Sequence, residues 1–220
     1  MTGLLKKDFM LIMKNISPAY FLAILPPVVV SLNNPAYFLF ILSVTVGFLS
    51  AAQVSTTLDL DEKVHWQRNV MSMPVSIAGI AMSKYILTLI LAGLAGAAVA
   101  LISSIYLKDV VVIYGVITLL MVVFYNAVVI PVSYRFGTGA SRYFIMFFIS
   151  VPIMFVYIFK IFDIDFQKIL MSLELKTLYL LMWALGAASL AVSVLITIRV
   201  IRKCLSGPGS RTAPEQLKGD

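Results

Sequence analysis

The chain has 220 residues and a formal net charge of +7; 61% of its residues are hydrophobic, 12% are charged, and its mean hydropathy is +1.00. A soluble domain of this size has too little interior to hide so much apolar surface, so the sequence predicts a single domain in a bilayer. With one histidine and one cysteine, we expect neither a metal site nor an internal disulfide.

The first predicted element is an amphipathic helix that precedes the first apolar run. Leu5, Phe9 and Ile12 recur at helical spacing, and Lys7 and Lys14 lie roughly opposite them. This pattern predicts a helix that lies in the membrane interface. The alternative is that the stretch simply extends the first span.

Five long uncharged runs follow, and the first, from Asn15 to Leu58, is long enough for two spans and is divided by NNP at 33–35. Each run is apolar all round, which is typical of membrane helices; the strands of a barrel would alternate in polarity. We expect six spans at about 17–32, 37–58, 85–107, 110–134, 143–160 and 177–198. The sequence therefore predicts an all-α polytopic membrane protein with one six-span domain over 1–205 and a flexible tail over 206–220.

The distribution of lysine and arginine predicts the orientation of these spans. Only four of the 17 fall on one side, namely Lys108, Lys160, Lys168 and Lys176, and the remaining thirteen (17 − 4) fall on the other. Since basic residues favour the cytoplasmic side, we expect both termini and the connection between spans two and three there. The basic residues are scattered at span ends, which favours anionic lipid headgroups as partners and argues against nucleic acid.

The connection between spans two and three gathers polar residues that are rare elsewhere in the chain. As a helix, the segment DLDEKVHWQRNVM places Asp61, His65 and Arg68 on one polar stripe, while Trp66 and Val70 form an apolar patch. An exposed tryptophan favours a partner surface. The alternative is a solvated loop that carries ordinary charges.

Span three is predicted to begin at a cap and to carry two packing faces. Ser76 is placed to cap a new helix that runs into the span. Within it, Ala92 and Gly96, and also Gly93 and Ala97, are pairs of small residues that let another backbone approach closely. Whether that backbone belongs to the same chain or to another stays open.

The sequence lacks the residues that enzymes and nucleotide-binding proteins need. No G-x-x-x-x-G-K-[ST] motif occurs, and His65 has no nucleophile in a plausible triad, so no catalytic residue is expected. Apart from Lys160 at the end of span five, no predicted span contains Asp, Glu, Lys, Arg or His, which argues against an ion-coupled transporter. Gln53 and Asn126 are the span residues that we expect to face a cavity.

The stretch DEKVHWQRNVMSMPVSIAGIAMSKYI resembles the membrane subunit of a bacterial ABC exporter of the type-2 permease class. Glu62, Lys63 and Trp66 carry the resemblance, together with MPVS at Met73 and SKY at Ser83. The family usually has leucine where Met73 stands. The interfacial helix, the six spans and the charged connection also follow the family layout. Within the class, the short external connections are similar to those of permeases that export phenol-soluble modulins, which are amphipathic peptide toxins.

The resemblance implies that the connection holds a coupling helix, which rests in a groove of an ATP-binding subunit. ATP and Mg²⁺ would be bound by two copies of that subunit, and this chain would carry no cofactor and no ATPase site. A second permease copy, as a homodimer, would complete the complex, and the N-terminal helix would match the connecting helix of the family. The implied coupling residues are Asp59, Asp61, Glu62, Lys63, His65, Trp66, Arg68 and Val70.

The function expected from this resemblance is ATP-driven export of hydrophobic or amphipathic substrates, peptides or toxins, across the bacterial cytoplasmic membrane. Spans without charge fit an apolar cavity for such substrates. Two alternatives stay open. One is a membrane scaffold or sensor that binds a cytosolic partner through the same connection, and the other is an ion-coupled secondary transporter.

Overall fold

The structure is a computed structural model that describes residues 2–15, 35–64, 76–106, 111–140, 143 and 175–206. Five helices have described bounds: α1 (Thr2–Asn15), α2 (Pro35–Lys63), α3 (Ile77–Tyr106), α4 (Val111–Phe136) and α5 (Leu175–Ser206). A short helical turn at 138–140 follows α4. All of the described elements are helical, as the uncharged runs predict.

Four of the helices are long and apolar enough to cross a membrane, judged by length and composition. These candidate spans are Phe38–Lys63, Ala78–Ile105, Ile113–Phe136 and Leu180–Lys203. They fall on the predicted spans two, three, four and six. Predicted span one, the part of span five beyond Tyr143 and the tail from residue 207 lie outside the described residues. The count of six spans therefore stays a prediction.

Two helices extend beyond the predicted membrane spans at the end where the charges lie. α2 continues to Lys63, past the predicted span end at 58, and α3 begins at Ile77, directly after the predicted cap and before the predicted span start at 85. Charge marks the end of a span only where the charged group must reach water. Here Asp61 of α2 and Lys84 of α3 lie 2.7 Å apart and satisfy each other. The start of the expected coupling segment is consequently the last turn of α2.

The beginning of α3 confirms the predicted cap. The side-chain oxygen of Ser76 accepts a hydrogen bond from the backbone N–H of Gly79 at 3.1 Å, and its carbonyl accepts one from Ile80. The first bond satisfies a donor that the first turn of a helix leaves without an intrahelical partner, and the second is the first intrahelical bond of α3. The cap fixes where α3 starts relative to Lys84, two turns further on.

Close contact between α3 and α4 depends on two glycines. A Cβ atom built on Gly96 would lie 2.8 Å from the carbonyl oxygen of Gly115, and one built on Gly115 would lie 2.7 Å from that of Gly96. Ala92, one turn from Gly96, is fully buried on the same face. Gly93 and Ala97 lie on a different face, where a Cβ on Gly93 meets nothing within 4 Å. One of the two predicted small-residue faces therefore packs within the chain.

A chain of hydroxyl groups joins α3, α4 and α5 beside a proline. Pro131 has no N–H, so the carbonyl of Ala127, one turn earlier in α4, loses its intrahelical donor. Ser193 of α5 donates to that carbonyl at 2.6 Å. Because Ser193 has only one hydroxyl hydrogen, it accepts from Tyr85 at 2.5 Å, and Tyr85 accepts from Thr197 at 2.7 Å. Hydroxyls commonly re-satisfy backbone groups that proline frees inside a membrane.

The N-terminal helix packs against α2 and α3 by a face that differs from the predicted one. Leu5 and Ile12 join a core cluster that includes Leu58 of α2. Phe9 was expected to share their face, but it is 47% exposed, and Asp8 lies buried beside them instead. A carboxylate on the packed face requires a cation opposite it.

Candidate functional site

Four charged side chains form a closed ring where α1, α2 and α3 meet. The Nζ atom of Lys84 lies 2.9 Å from Oδ1 of Asp8 and 2.7 Å from Oδ2 of Asp61. The Nζ atom of Lys7 lies 2.5 Å from Oδ1 of Asp61 and 3.2 Å from Oδ1 of Asp8. Positive and negative groups thus alternate around the ring, and its formal charges sum to zero. We call these four residues the charge ring.

Three members of the charge ring are buried, whereas the Lys7 side chain is 25% exposed, and the ammonium group of Lys84 is fully hydrogen bonded. Lys84 is 2% exposed and Asp8 is 1% exposed. An ammonium group has three donors, and those of Lys84 reach Asp8, Asp61 and, at 3.3 Å, the hydroxyl of Thr57. A cavity of about 20 Å³, which Tyr134 of α4 also lines, lies beside the ring. A space of that size accommodates roughly one water molecule.

The local sequence explains where each helix carries the charged residues that join the ring. Lys7 and Asp8 are neighbours on α1, so one turn of helix supplies a cation and an anion together. Asp61 lies one turn after Thr57, which places both on the same side of α2. Lys84 lies early in α3, just before the uncharged part of the span. These charges therefore come together where α1 packs against the ends of α2 and α3.

The other two acidic residues near the end of α2, Asp59 and Glu62, bind the start of the helical turn at 138–140. Glu62 accepts a hydrogen bond from the backbone N–H of Thr138 at 2.6 Å, and Asp59 accepts one from its hydroxyl at 3.0 Å. Lys63 pairs with Asp59 at 2.7 Å. Gly137 precedes this contact with a φ of 82°, and a Cβ there would lie 2.9 Å from Glu62. Glycine is the residue that adopts this backbone conformation without strain.

The structure therefore places half of the expected coupling residues in contacts within the chain. Asp59, Asp61, Glu62 and Lys63 belong to the end of α2, and the first three bind groups of α1, α3 or the turn at 138–140. The others, His65, Trp66, Arg68 and Val70, lie outside the described residues. Their role in contacting a partner stays a prediction.

The two polar residues expected to face a cavity are buried. Asn126 is fully buried and donates from Nδ2 to the carbonyl of Val122 at 3.1 Å. Within the described part of the chain, its Oδ1 atom and the Oε1 atom of Gln53 have no hydrogen-bond partner. Gln53 and Asn126 are not among the described residues that line the larger cavity.

That larger cavity has a volume of about 320 Å³, is open rather than enclosed, and lies between α2, α4 and α5. Its described lining is entirely apolar and consists of Phe40, Val44, Ile117, Leu120, Met121, Phe124, Met182 and Leu185. Aromatic and methionine side chains adapt to ligands of varied shape. The site therefore suits an apolar group and offers nothing to a charged one.

Sequence reasoning missed Asp8 and Lys84 as members of one site. The available signal was Asp8, a carboxylate between Leu5 and Ile12 on an otherwise apolar helix face. Lys84 was assigned to the end of a span, where a lysine ordinarily reaches the interface. Among the described residues, no group of three or more His, Cys, Asp or Glu side chains is placed to hold a metal ion.

Comparison with known proteins gives one family. The model of a family described as ABC-2 family transporter protein matches residues 3–202. No curated protein and no solved structure matches the chain. The matched range contains α1 from residue 3, all of α2 to α4, α5 up to Arg202, the charge ring and the apolar cavity.

Proposed function

Because the chain belongs to the ABC-2 transporter family and is the multi-pass membrane subunit of an ABC transporter, we propose that it exports hydrophobic or amphipathic substrates out of the cytoplasm. Amphipathic peptides are the substrate class that this proposal names. The end of the molecule that carries the charge ring would face the cytoplasm, as the excess of basic residues on that side predicts.

The observation that carries the proposal is the apolar lining of the cavity between α2, α4 and α5. A charged or strongly hydrophilic substrate would lose its water there without gaining a partner, which is unfavourable. An apolar side chain gains roughly 25 cal/mol for each Å² that leaves water. Two phenylalanines and two methionines can receive the apolar face of a helical peptide while its polar face stays in water.

The energy for export would come from a partner subunit, since the sequence has no phosphate-cradling motif of its own. ABC-2 membrane subunits work with ATP-binding cassette partners. We place the docking site on the segment after α2, with Trp66 and Val70 as apolar anchors and the charges around them at its rim. Two permease copies, as a homodimer, and two ATP-binding subunits would form the complex, with Mg²⁺ and ATP bound by the partner.

An ion-coupled transporter is favoured by one observation, the buried charge ring, because ionisable groups inside a membrane protein often mark ion pathways. Two facts favour the exporter. The ring sums to zero charge, with each member paired. In addition, no charged residue of the described spans continues the ring toward the opposite end of the helices.

The test is substrate-stimulated ATP hydrolysis by the assembled complex in proteoliposomes. An amphipathic helical peptide should stimulate hydrolysis and enter the vesicles whose ATP-binding subunits face outward. The matched control is a peptide of the same composition, scrambled so that its apolar residues no longer share a face. Equal stimulation by both peptides, or by neither, would contradict export of amphipathic peptides. Failure of any ATP-binding subunit to co-purify would contradict ATP-driven transport and favour a scaffold or an ion-coupled carrier.

A further inference from the structure

Both ends of the connection between α2 and α3 meet α1 in the charge ring. Asp61 lies in the last turn of α2, which ends at Lys63. Lys84 lies two turns after Ser76, which caps α3. The connection at 65–75 is thus bracketed by two residues that bind each other and bind α1. A displacement of the ends of α2 and α3 relative to α1 must stretch the bond from Lys84 to Asp8 or the bond from Lys7 to Asp61.

We propose that Lys84 is a positioning residue for transport, which ties α1 to the ends of α2 and α3 so that movement of those two ends carries α1 with it. The inference rests on the proposed function, since the movement is the one that an ATP-binding partner would supply. Lys84 touches neither substrate nor nucleotide; it acts through Asp8 and Asp61.

Burial makes this contact suited to transmitting force. Ion pairs away from water are screened far less than surface pairs, and a broken buried pair leaves a charge without compensation. Because charges alternate around the ring, opening any one contact leaves unbalanced groups on both sides. The surface pair of Lys63 and Asp59 provides a contrast, since the lysine side chain is 64% exposed and its bond is readily replaced by water.

Two variants distinguish the effect of the ionic bonds between helices from the effect of the net charge of the ring. Lys84→Met removes the bonds from α3 to α1 and α2 and leaves the ring with a net negative charge, while Lys7 still binds Asp61. Lys84→Met combined with Asp61→Asn also removes the ion pair of Lys7 and Asp61, but the charges that remain, Lys7 and Asp8, balance each other and both belong to α1. The double variant should therefore fold better than the single one. It also lacks the described ion pairs between α1 and the other two helices, Lys7–Asp61 and Lys84–Asp8. Lys84→Arg, which keeps the charge, and Arg202→Met, on the exposed end of α5, are the controls.

Two readouts on the full complex test the proposal. The first is the amount of peptide transported for each ATP hydrolysed, which a merely structural role would leave unchanged in the protein that remains folded. In the double variant this ratio should fall by roughly tenfold or more, as expected when a desolvated charge pair is lost. In Lys84→Arg it should stay near that of the wild type, as it should in Arg202→Met. The second readout is hydrogen exchange in residues 2–15, whose response to nucleotide should disappear while the ends of α2 and α3 still respond.

The proposal is overturned if the double variant transports at the wild-type ratio with an unchanged exchange response in α1. It is also overturned if Lys84→Met lowers transport and hydrolysis together and the double variant restores both, because the ring would then serve stability alone. If the wild-type complex shows no stimulated hydrolysis, the proposed function is what fails. Exchange without nucleotide then decides the link: faster exchange in residues 2–15 of the double variant supports it, and unchanged exchange overturns it.

Discussion

At the scale of single residues, the buried polar atoms show how this chain tolerates hydrogen-bonding groups in an apolar setting. Several hydroxyls bond back to a carbonyl one turn earlier in their own helix, as Ser43 does to Leu39 and Thr88 does to Lys84. Ser193 is different, because its bond to Ala127 crosses from α5 to α4 and fills the place that Pro131 leaves. This tertiary contact is needed because Pro131 has no N–H to donate to the Ala127 carbonyl.

We predict that Ser193→Ala destabilises the chain by about 1–2 kcal/mol, because the Ala127 carbonyl and the Tyr85 hydroxyl each lose a partner. In a Pro131→Ala background the same substitution should cost roughly half as much, since residue 131 then donates its own N–H to Ala127. Reversible unfolding in mixed micelles measures all four members of this cycle. Equal costs in the two backgrounds would show that Ser193 does not compensate for the proline.

At the scale of helices, two faces of α3 that look alike in the sequence have different roles. Gly96 faces Gly115 at a distance that excludes a side chain, whereas Gly93 faces open space in the described part of the chain. Close backbone approach of this kind is how helices associate without a hydrophobic driving force between them.

Gly96→Ala should therefore push α3 and α4 apart and lower stability by about 1–3 kcal/mol, the usual cost of overpacking. Gly93→Ala is the matched control on the same helix and should leave the stability of a single chain unchanged. Thermal unfolding at low protein concentration distinguishes the two. A large loss for Gly93→Ala would mean that its face, too, is packed.

The sequence predicts part of this arrangement for clear physical reasons. The uncharged runs predict the helices, since hydropathy reports whether a segment can lie in lipid, and Ser76 predicts the start of α3 because its cap is local. The charge ring could not be predicted, because Asp8 and Lys84 are brought together only by the packing of three helices. The rule that charges lie outside spans also placed Asp61 beyond α2, whereas pairing lets it remain within the helix.

At the scale of the whole molecule, most charged residues of the described helices lie at one end. α2 and α4 reach this charged end at Lys63 and Phe136, and α5 brings Thr197 and Cys204 to the same end through its contact with Tyr85. α3 ends at Tyr106 and α4 begins at Val111 at the opposite end.

This polarity predicts a labelling pattern in intact cells. A cysteine introduced by Lys108→Cys in a Cys204→Ser background should react with a thiol reagent that does not cross membranes, and the native Cys204 should not, because the charged end faces the cytoplasm. Permeabilised cells provide the control, since Cys204 should then react if it is accessible. Reaction of Cys204 but not of residue 108 from outside would reverse the orientation.

The neutrality of the charge ring has a further consequence for how the protein responds to voltage. A single charge that crosses a membrane potential of 100 mV gains or loses about 2.3 kcal/mol. Two lysines and two aspartates that move as one group carry no net charge, so the electric field performs no net work on the charge ring itself when it shifts along the membrane normal. The membrane potential therefore does not favour one position of the ring over another.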